Sequence, residues 1–141
     1  MKLLKSQFNR AMPSIFTKIV NGEIPAYKVA EDEHFLAFLD ISPLTRGHTL
    51  VIPKKEVDYL YEMDDELYTG LHLFAKKVAA ALKKAIPCVK IGSLVLGLDV
   101  PHAHIHLVPM QSEADILNFS KKLKLSADEF EDIRKKIASE F

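Results

Sequence analysis

The chain has 141 residues, a length that suits one domain with a self-sufficient core. Hydrophobic residues make up 48% and charged residues 27%, which is globular rather than disordered composition. The 19 basic and 19 acidic residues cancel, so there is no general electrostatic pull on nucleic acid or an anionic membrane, and no apolar stretch approaches the ~20 residues of a membrane span.

Residues 1–13 are expected to form a flexible lead-in. Met1 to Arg10 is basic but lacks the apolar core of a signal peptide, and Met12 offers an alternative start. Ser14 is placed to cap a short helix carrying Ile15, Phe16, Ile19 and Val20, which ends at Asn21-Gly22. Tyr27–Glu31 and Phe35–Leu39 read as two strands joined by the polar turn Glu31-Asp32-Glu33. Ser42-Pro43 and Arg46-Gly47 punctuate the next loop, and His48–Ile52, closed by Pro53, reads as a third strand.

Asp64 or Asp65 caps a long helix in which Leu67, Leu71, Phe74, Val78 and Leu82 recur at three- and four-residue steps, giving one apolar face. Lys76, Lys77, Lys83 and Lys84 crowd its later turns, where cations suit the helix dipole, and Pro87 ends it. Cys88 is the single cysteine, which excludes an internal disulfide and fits a reducing, cytoplasmic setting. It leads an apolar run and reads as buried filler. Val89–Leu98 is nearly continuous in apolar residues and reads as a central strand. Ala103–Val108, between Pro101 and Pro109, reads as its partner. Ser126-x-x-Glu129 is a capping box that opens a final helix with the apolar stripe Phe130, Ile133, Ile137 and Phe141. The order helix, three strands, helix, two strands, helix predicts an α+β fold with a five-stranded antiparallel sheet.

Three of the six histidines stand at 102, 104 and 106. On a strand, alternate residues share a face, so all three imidazoles point one way and Ala103, Ile105 and Leu107 the other. Three readings compete. The imidazoles can be satisfied structurally within the fold, though burying three on one face is costly unless each finds a partner. They can converge on a zinc ion and, with water, make a hydrolytic site. Or one neutral imidazole can attack phosphorus or another electrophile, since an unperturbed pKa of about 6.5 leaves the neutral form available. The residues alone leave these open.

The run Gly97-Leu98-Asp99-Val100-Pro101-His102-Ala103-His104-Ile105-His106-Leu107-Val108-Pro109 resembles the histidine-triad (HIT) signature. Ser14 to Ala26, Phe38-Leu39-Asp40-Ile41-Ser42-Pro43 and Gly47-His48-Thr49-Leu50-Val51-Ile52-Pro53-Lys54 resemble the Hint-like branch of that family, in the order the family requires. The resemblance implies a HIT domain over residues 14–110, with residues 111–141 as a C-terminal helical extension packed on the same domain. It implies His104 as nucleophile on the α-phosphate of a nucleotide conjugate, with His106, His102 and His48 completing the catalytic cluster. It assigns Asp40 to the ribose hydroxyls and Ile41, Phe16, Ile19 and Phe38 to the walls around a base. The implied activity is hydrolysis of nucleoside phosphoramidates or related conjugates. Alternatives within the resemblance are dinucleoside polyphosphate hydrolysis, nucleotidyl transfer, or a non-catalytic nucleotide-binding module. The implied ligand is a purine nucleotide, and the implied assembly a homodimer with its two sheets joined and the long helix at the interface.

The sequence departs from the family pattern: the loop before Gly97 is shortened, and the asparagine usual there is absent. Leu98 stands where glutamine is usual, and Asp99 where serine is usual. An ionised aspartate cannot donate to a phosphate and repels it, so Asp99 is expected to face elsewhere or to bind a cationic or amine part of the substrate. Ser14 and Thr17 occupy the positions where some bacterial relatives carry Cys-x-x-Cys and bind structural zinc. No metal and no other cofactor is therefore expected.

Overall fold

A computed structural model describes residues 12–141. Apart from Met12 and Pro13, the expected lead-in lies outside the described residues. Strands β1 (Lys28–Glu31), β2 (Phe35–Leu39), β3 (Thr49–Pro53), β4 (Lys90–Leu94) and β5 (Ile105–Met110) form one sheet in the order β1-β2-β3-β5-β4. Every pairing is antiparallel. The helices are α1 (Ile15–Val20), the long α2 (Asp65–Ala85), the short α3 (Ala114–Leu117) and the C-terminal α4 (Ala127–Glu140). This is the α+β arrangement that the order of elements predicts. Among the described residues no helix is long and apolar enough to cross a membrane.

Alternation along the strands builds two cores from the same sheet. Phe35, Ala37 and Leu39 of β2, Val51 of β3, and Ile105 and Leu107 of β5 meet Leu71, Phe74, Val78 and Leu82 of α2 and Phe130, Ile133 and Ile137 of α4. The intervening residues Leu36, Phe38, Leu50 and Ile52 face the opposite way and pack with Phe16 and Ile19 of α1. With both faces covered, β2 and β3 are buried along their whole length. Leu71, Val78 and Leu82 are fully buried. At ~1.5–3 kcal/mol for each such side chain, this stripe fixes α2 to the sheet.

Each of the three predicted caps forms. Ser14 accepts the Thr17 N–H, Asp64 accepts the Leu67 N–H, and Ser126 and Glu129 close a reciprocal capping box.

Three expectations need correction. Val89–Leu98 is not a central strand: β4 covers only Lys90–Leu94 and, among the described residues, bonds to β5 alone and forms an edge. Val89, Val95, Leu96 and Leu98 are exposed, Leu98 by 96%. An apolar run without alternation does not tell a buried strand from an edge strand. The second correction concerns the histidines, of which only His106 lies in β5. The β3–β5 pairing stops at Val51 and Ile105; beyond it the His102 N–H bonds to Val100 O and the Ala103 N–H to Val57 O. Ala103 still joins Ile105 and Leu107 in the α2 core, so the alternation of faces outruns the ladder. Third, Cys88 is half-buried rather than buried.

Candidate active site

The β3–β5 register places His106 opposite Leu50, whose side chain faces α1. The imidazoles therefore lie on the α1 side of the sheet. His104 and His106 stand 4.9 Å apart between ring centres, and the Phe16 ring sits edge-on to His104 at 5.0 Å and to His102 at 5.8 Å. His48 enters from the start of β3. Gly47 turns the chain there at a φ of +91°, and a Cβ at this position would come within 3.0 Å of Ile86. Glycine meets both requirements.

Neighbouring main-chain groups fix all four tautomers. The Leu44 N–H can only donate, so His48 Nδ1 accepts it at 3.0 Å and the proton sits on Nε2. His48 Nε2–H then donates to His106 Nδ1 at 2.9 Å, which leaves the His106 proton on Nε2. The Pro53 carbonyl can only accept, so His102 donates to it through Nε2–H at 2.8 Å, and Ser14 Oγ–H donates to His102 Nδ1 at 2.8 Å. His104 Nδ1–H donates to the His102 carbonyl at 2.7 Å. That bond puts the lone pair of His104 on Nε2. His104 is only 2% exposed, yet no buried side-chain nitrogen or oxygen among the described residues lacks a partner. Its unbonded Nε2 is thus the edge of the ring left in contact with solvent, as is His106 Nε2–H.

Burial disfavours the charged form of His48, His106 and His102. It pushes His48 down to about 3, helped by the charges of His106, Lys122 and His104. Burial and His104 push His106 down to about 4, against the opposing pull of Asp99. His102 is also lowered by burial, with the Pro53 carbonyl and Glu56 opposing. Asp40 moves the other way: burial raises its carboxyl, while the Ser42 N–H holds it down.

Asp40 is tied to the cluster by its main chain. Its N–H donates to His48 O at 3.0 Å, Oδ1 accepts the Ser42 N–H at 2.8 Å, and Oδ2 lies 3.7 Å from His48 Nε2. Asp40, His48 and His106 together offer ligand atoms within 4.8 Å of one another. A cation there would have to displace the proton shared between His48 and His106. The three triad rings do not converge on an ion, because both nitrogens of His102 are engaged elsewhere.

Of the residues singled out in the sequence, His48, His102, His104, His106, Asp40 and Phe16 come together. Ile19 and Phe38 pack behind Phe16, and all three are 7% exposed or less, so they are core residues first. Ile41 does not join them; it is 74% exposed. Asp99 is exposed, but its charge reaches Asp40 and His106.

Three residues were not anticipated. Glu56 accepts the Ser14 N–H at 2.6 Å and the Thr17 hydroxyl at 2.7 Å, fastening α1 beside His102. Burial raises its carboxyl, but these bonds outweigh that and hold it below its ordinary value. Phe119 meets His106 edge-on at 5.7 Å, and Lys122 Nζ lies 4.6 Å from the centre of the Phe119 ring. The one available signal was an isolated aromatic in the polar stretch after Gln111.

Residues 21–113 match the family model of the HIT domain. The chain is 41% identical over 120 residues to a HIT-like protein of Methanocaldococcus jannaschii, covering 82% of this chain and 93% of the relative. It is 37% identical over 100 residues to the adenosine 5'-monophosphoramidase of Saccharomyces cerevisiae, covering 70% of this chain and 63% of that enzyme. Among solved structures, a histidine triad nucleotide-binding protein of Sulfolobus tokodaii superposes with a TM-score of 0.78 at 32% identity, covering 89% of each chain.

Proposed function

Because the chain belongs to the histidine triad (HIT) family, we propose that it binds nucleotides and hydrolyses nucleoside phosphoramidates or related conjugates at the α-phosphate, with His104 as nucleophile. The observation that carries this reading is the His104 tautomer. Nδ1–H is held by the His102 carbonyl at 2.7 Å, so the neutral ring carries its lone pair on Nε2, the nitrogen without a protein partner. A ring held this way needs no proton removed before it attacks.

In the first step the Nε2–P bond forms and the bond to the leaving group breaks. The leaving nitrogen keeps the bonding pair and takes a proton from water. His104 becomes a phosphorylated imidazolium whose Nδ1–H bond to the His102 carbonyl strengthens as positive charge develops. His106 Nε2–H donates a hydrogen bond to the reacting phosphoryl group or the departing atom. Being neutral, it acts as a donor and not as a strong acid. Water then attacks phosphorus and gives up a proton, which neutralises the hydroxide left by the first step; the P–Nε2 bond breaks, and neutral His104 returns with release of the nucleoside monophosphate. Asp40 is assigned to the ribose hydroxyls, Phe16 to the wall beside a purine, and Asp99 to the leaving-group side, where a carboxylate suits an amine.

Incubation with adenosine phosphoramidate tests this reading. Turnover and a trapped nucleotidyl-histidine are expected for the wild type, and neither for His104→Ala. A His104→Ala protein that turned the substrate over at the wild-type rate would refute the mechanism. Nucleotide binding without an adduct would reduce the protein to a binding module.

The assembly proposed is a homodimer joined along β4, whose outer edge is unpaired among the described residues and flanked by exposed Val89, Val95 and Leu96. Sedimentation is expected to give a dimer, and Leu96→Lys to shift it toward monomer.

A further inference from the structure

The C-terminal segment beyond the family match reaches the site at His106. Asn118 accepts the Lys121 N–H at 3.2 Å and the Ser120 hydroxyl at 2.8 Å, which curls residues 118–121 into a turn. The Leu123 N–H donates to Pro43 O at 2.8 Å, so the segment is fastened to the loop that follows Asp40. Just beyond it, Arg46 pairs with Glu129 at 2.8 Å and ties the start of α4 to the same loop. Residues 118–123 are therefore a strap tied at its C-terminal end to the loop 43–46. Phe119 of the strap meets His106 edge-on at 5.7 Å, and the exposed Lys122 places its Nζ 4.6 Å from the Phe119 ring centre. A cation resting on an aromatic face is held in place without losing its charge to a carboxylate partner.

The charge balance of the site calls for such a cation. Burial disfavours a positive charge on His48, His102 and His106. Asp40 sits against His48, and the charge of Asp99 reaches both Asp40 and His106. A nucleotide phosphate, itself an anion, would enter a pocket bordered by two carboxylates. Lys122 supplies the opposite sign, and its charge reaches Asp40, His48 and His106.

We propose that Lys122, held on the Phe119 ring whose edge meets His106, is the phosphate-binding cation of this site, and that the strap 118–123 completes an anion subsite which offsets Asp99. The proposal rests on the nucleotide reading above but not on the covalent step. Lys122 attracts the phosphate of a bound nucleotide and leaves its nucleoside portion to other residues. As a compact ammonium it acts as a point charge rather than a bidentate fork.

Calorimetric titration with adenosine monophosphate and with adenosine separates these contributions. Lys122→Ala is expected to weaken adenosine monophosphate about tenfold, the worth of one charge-assisted contact, and to leave adenosine binding unchanged. Lys122→Arg is expected to retain most of the affinity. Asp99→Asn added to Lys122→Ala is expected to recover part of the loss, since it removes the repulsion that Lys122 offset. Raising salt should weaken adenosine monophosphate in the wild type more than in Lys122→Ala.

Unchanged affinity for adenosine monophosphate in Lys122→Ala overturns the proposal, as does an equal loss for adenosine. The same titrations on His104→Ala keep the two readings apart. If wild type forms no adduct but its affinity for adenosine monophosphate still depends on Lys122, the hydrolase reading fails and the strap reading stands. A wild-type protein that binds neither probe overturns both.

Discussion

His48 Nε2 donates to His106 Nδ1 at 2.9 Å, and the Leu44 N–H occupies the other nitrogen of His48. Neither ring can take a second proton on its Nδ1 without breaking a buried bond. This agrees with the depression of His48 to about 3 and His106 to about 4. The consequence is a stability that depends on pH. Between about pH 6.5 and pH 4 the unfolded chain protonates both histidines while the folded chain leaves them neutral, so unfolding takes up protons. Stability is then full above pH 6.5 and falls as pH drops, by up to about 1.4 kcal/mol per pH unit for each histidine. Asp40, raised by burial, works in the opposite direction at lower pH. Urea midpoints measured from pH 7 to 4.5 should decline, and His106→Asn should make the decline shallower. A flat profile would show that the pair is not held neutral.

Ser14 has two roles at one oxygen. Its Oγ caps α1 through the Thr17 N–H and donates to His102 Nδ1 at 2.8 Å. Ser14→Ala removes both and leaves a buried ring nitrogen without its donor, for an expected loss of about 2 kcal/mol. Glu56→Gln keeps an acceptor oxygen for the Ser14 N–H and should cost less than half as much. Thermal unfolding of the two variants checks the ranking. Equal losses would mean that the charge of Glu56, rather than the Ser14 hydroxyl, holds α1.

Asp40 is expected to distinguish ribose from deoxyribose. A carboxylate accepting from ribose hydroxyls favours the ribonucleotide by about tenfold in kcat/KM over its 2'-deoxy analogue. Asp40→Ala should bring that ratio close to one and leave the nucleotidyl-histidine still trappable. A ratio that survives the substitution would remove Asp40 from the sugar.

Gly70 lies within α2, where alanine would gain about 1 kcal/mol of helix propensity. A Cβ there would meet Phe35 Cζ at 2.7 Å, and the Phe35 ring is stacked on Phe74 at 5.6 Å between ring centres. Overpacking of this kind costs about 1–3 kcal/mol, so the clash outweighs the propensity gain. Gly70→Ala should lower the melting temperature, and a rise would mean that Phe35 swings aside freely.

Much of the fold is readable from spacing. The stripe from Leu71 to Leu82, the caps at Ser14, Asp64 and Ser126, and the alternation in β2 are local patterns with local causes. The run Val89–Leu98 was misread because its apolar residues do not alternate, and only their partners reveal that the strand is an edge. The histidine face was legible, since Ala103, Ile105 and Leu107 do enter the α2 core, but the start of β5 was not. Glu56, Phe119 and Lys122 left little or no trace in the sequence. They reach the site across 39 residues in the Thr17–Glu56 bond, and through a strap whose Leu123 binds the loop at Pro43. Contacts of that range carry no periodicity.

The orientation of His104 is set by the carbonyl of His102, not by its imidazole. The orientation of His48 is set by the amide of Leu44, and that of His102 by the carbonyl of Pro53. A peptide group is present whatever side chain is attached to it. The arrangement that prepares the nucleophile can thus be inherited through sequence drift at positions 44 and 53, with proline at 44 the one replacement that deletes a needed donor. Position 102 is separable in the same way: a side-chain change there would loosen the seat of α1 while the lone pair of His104 kept its direction.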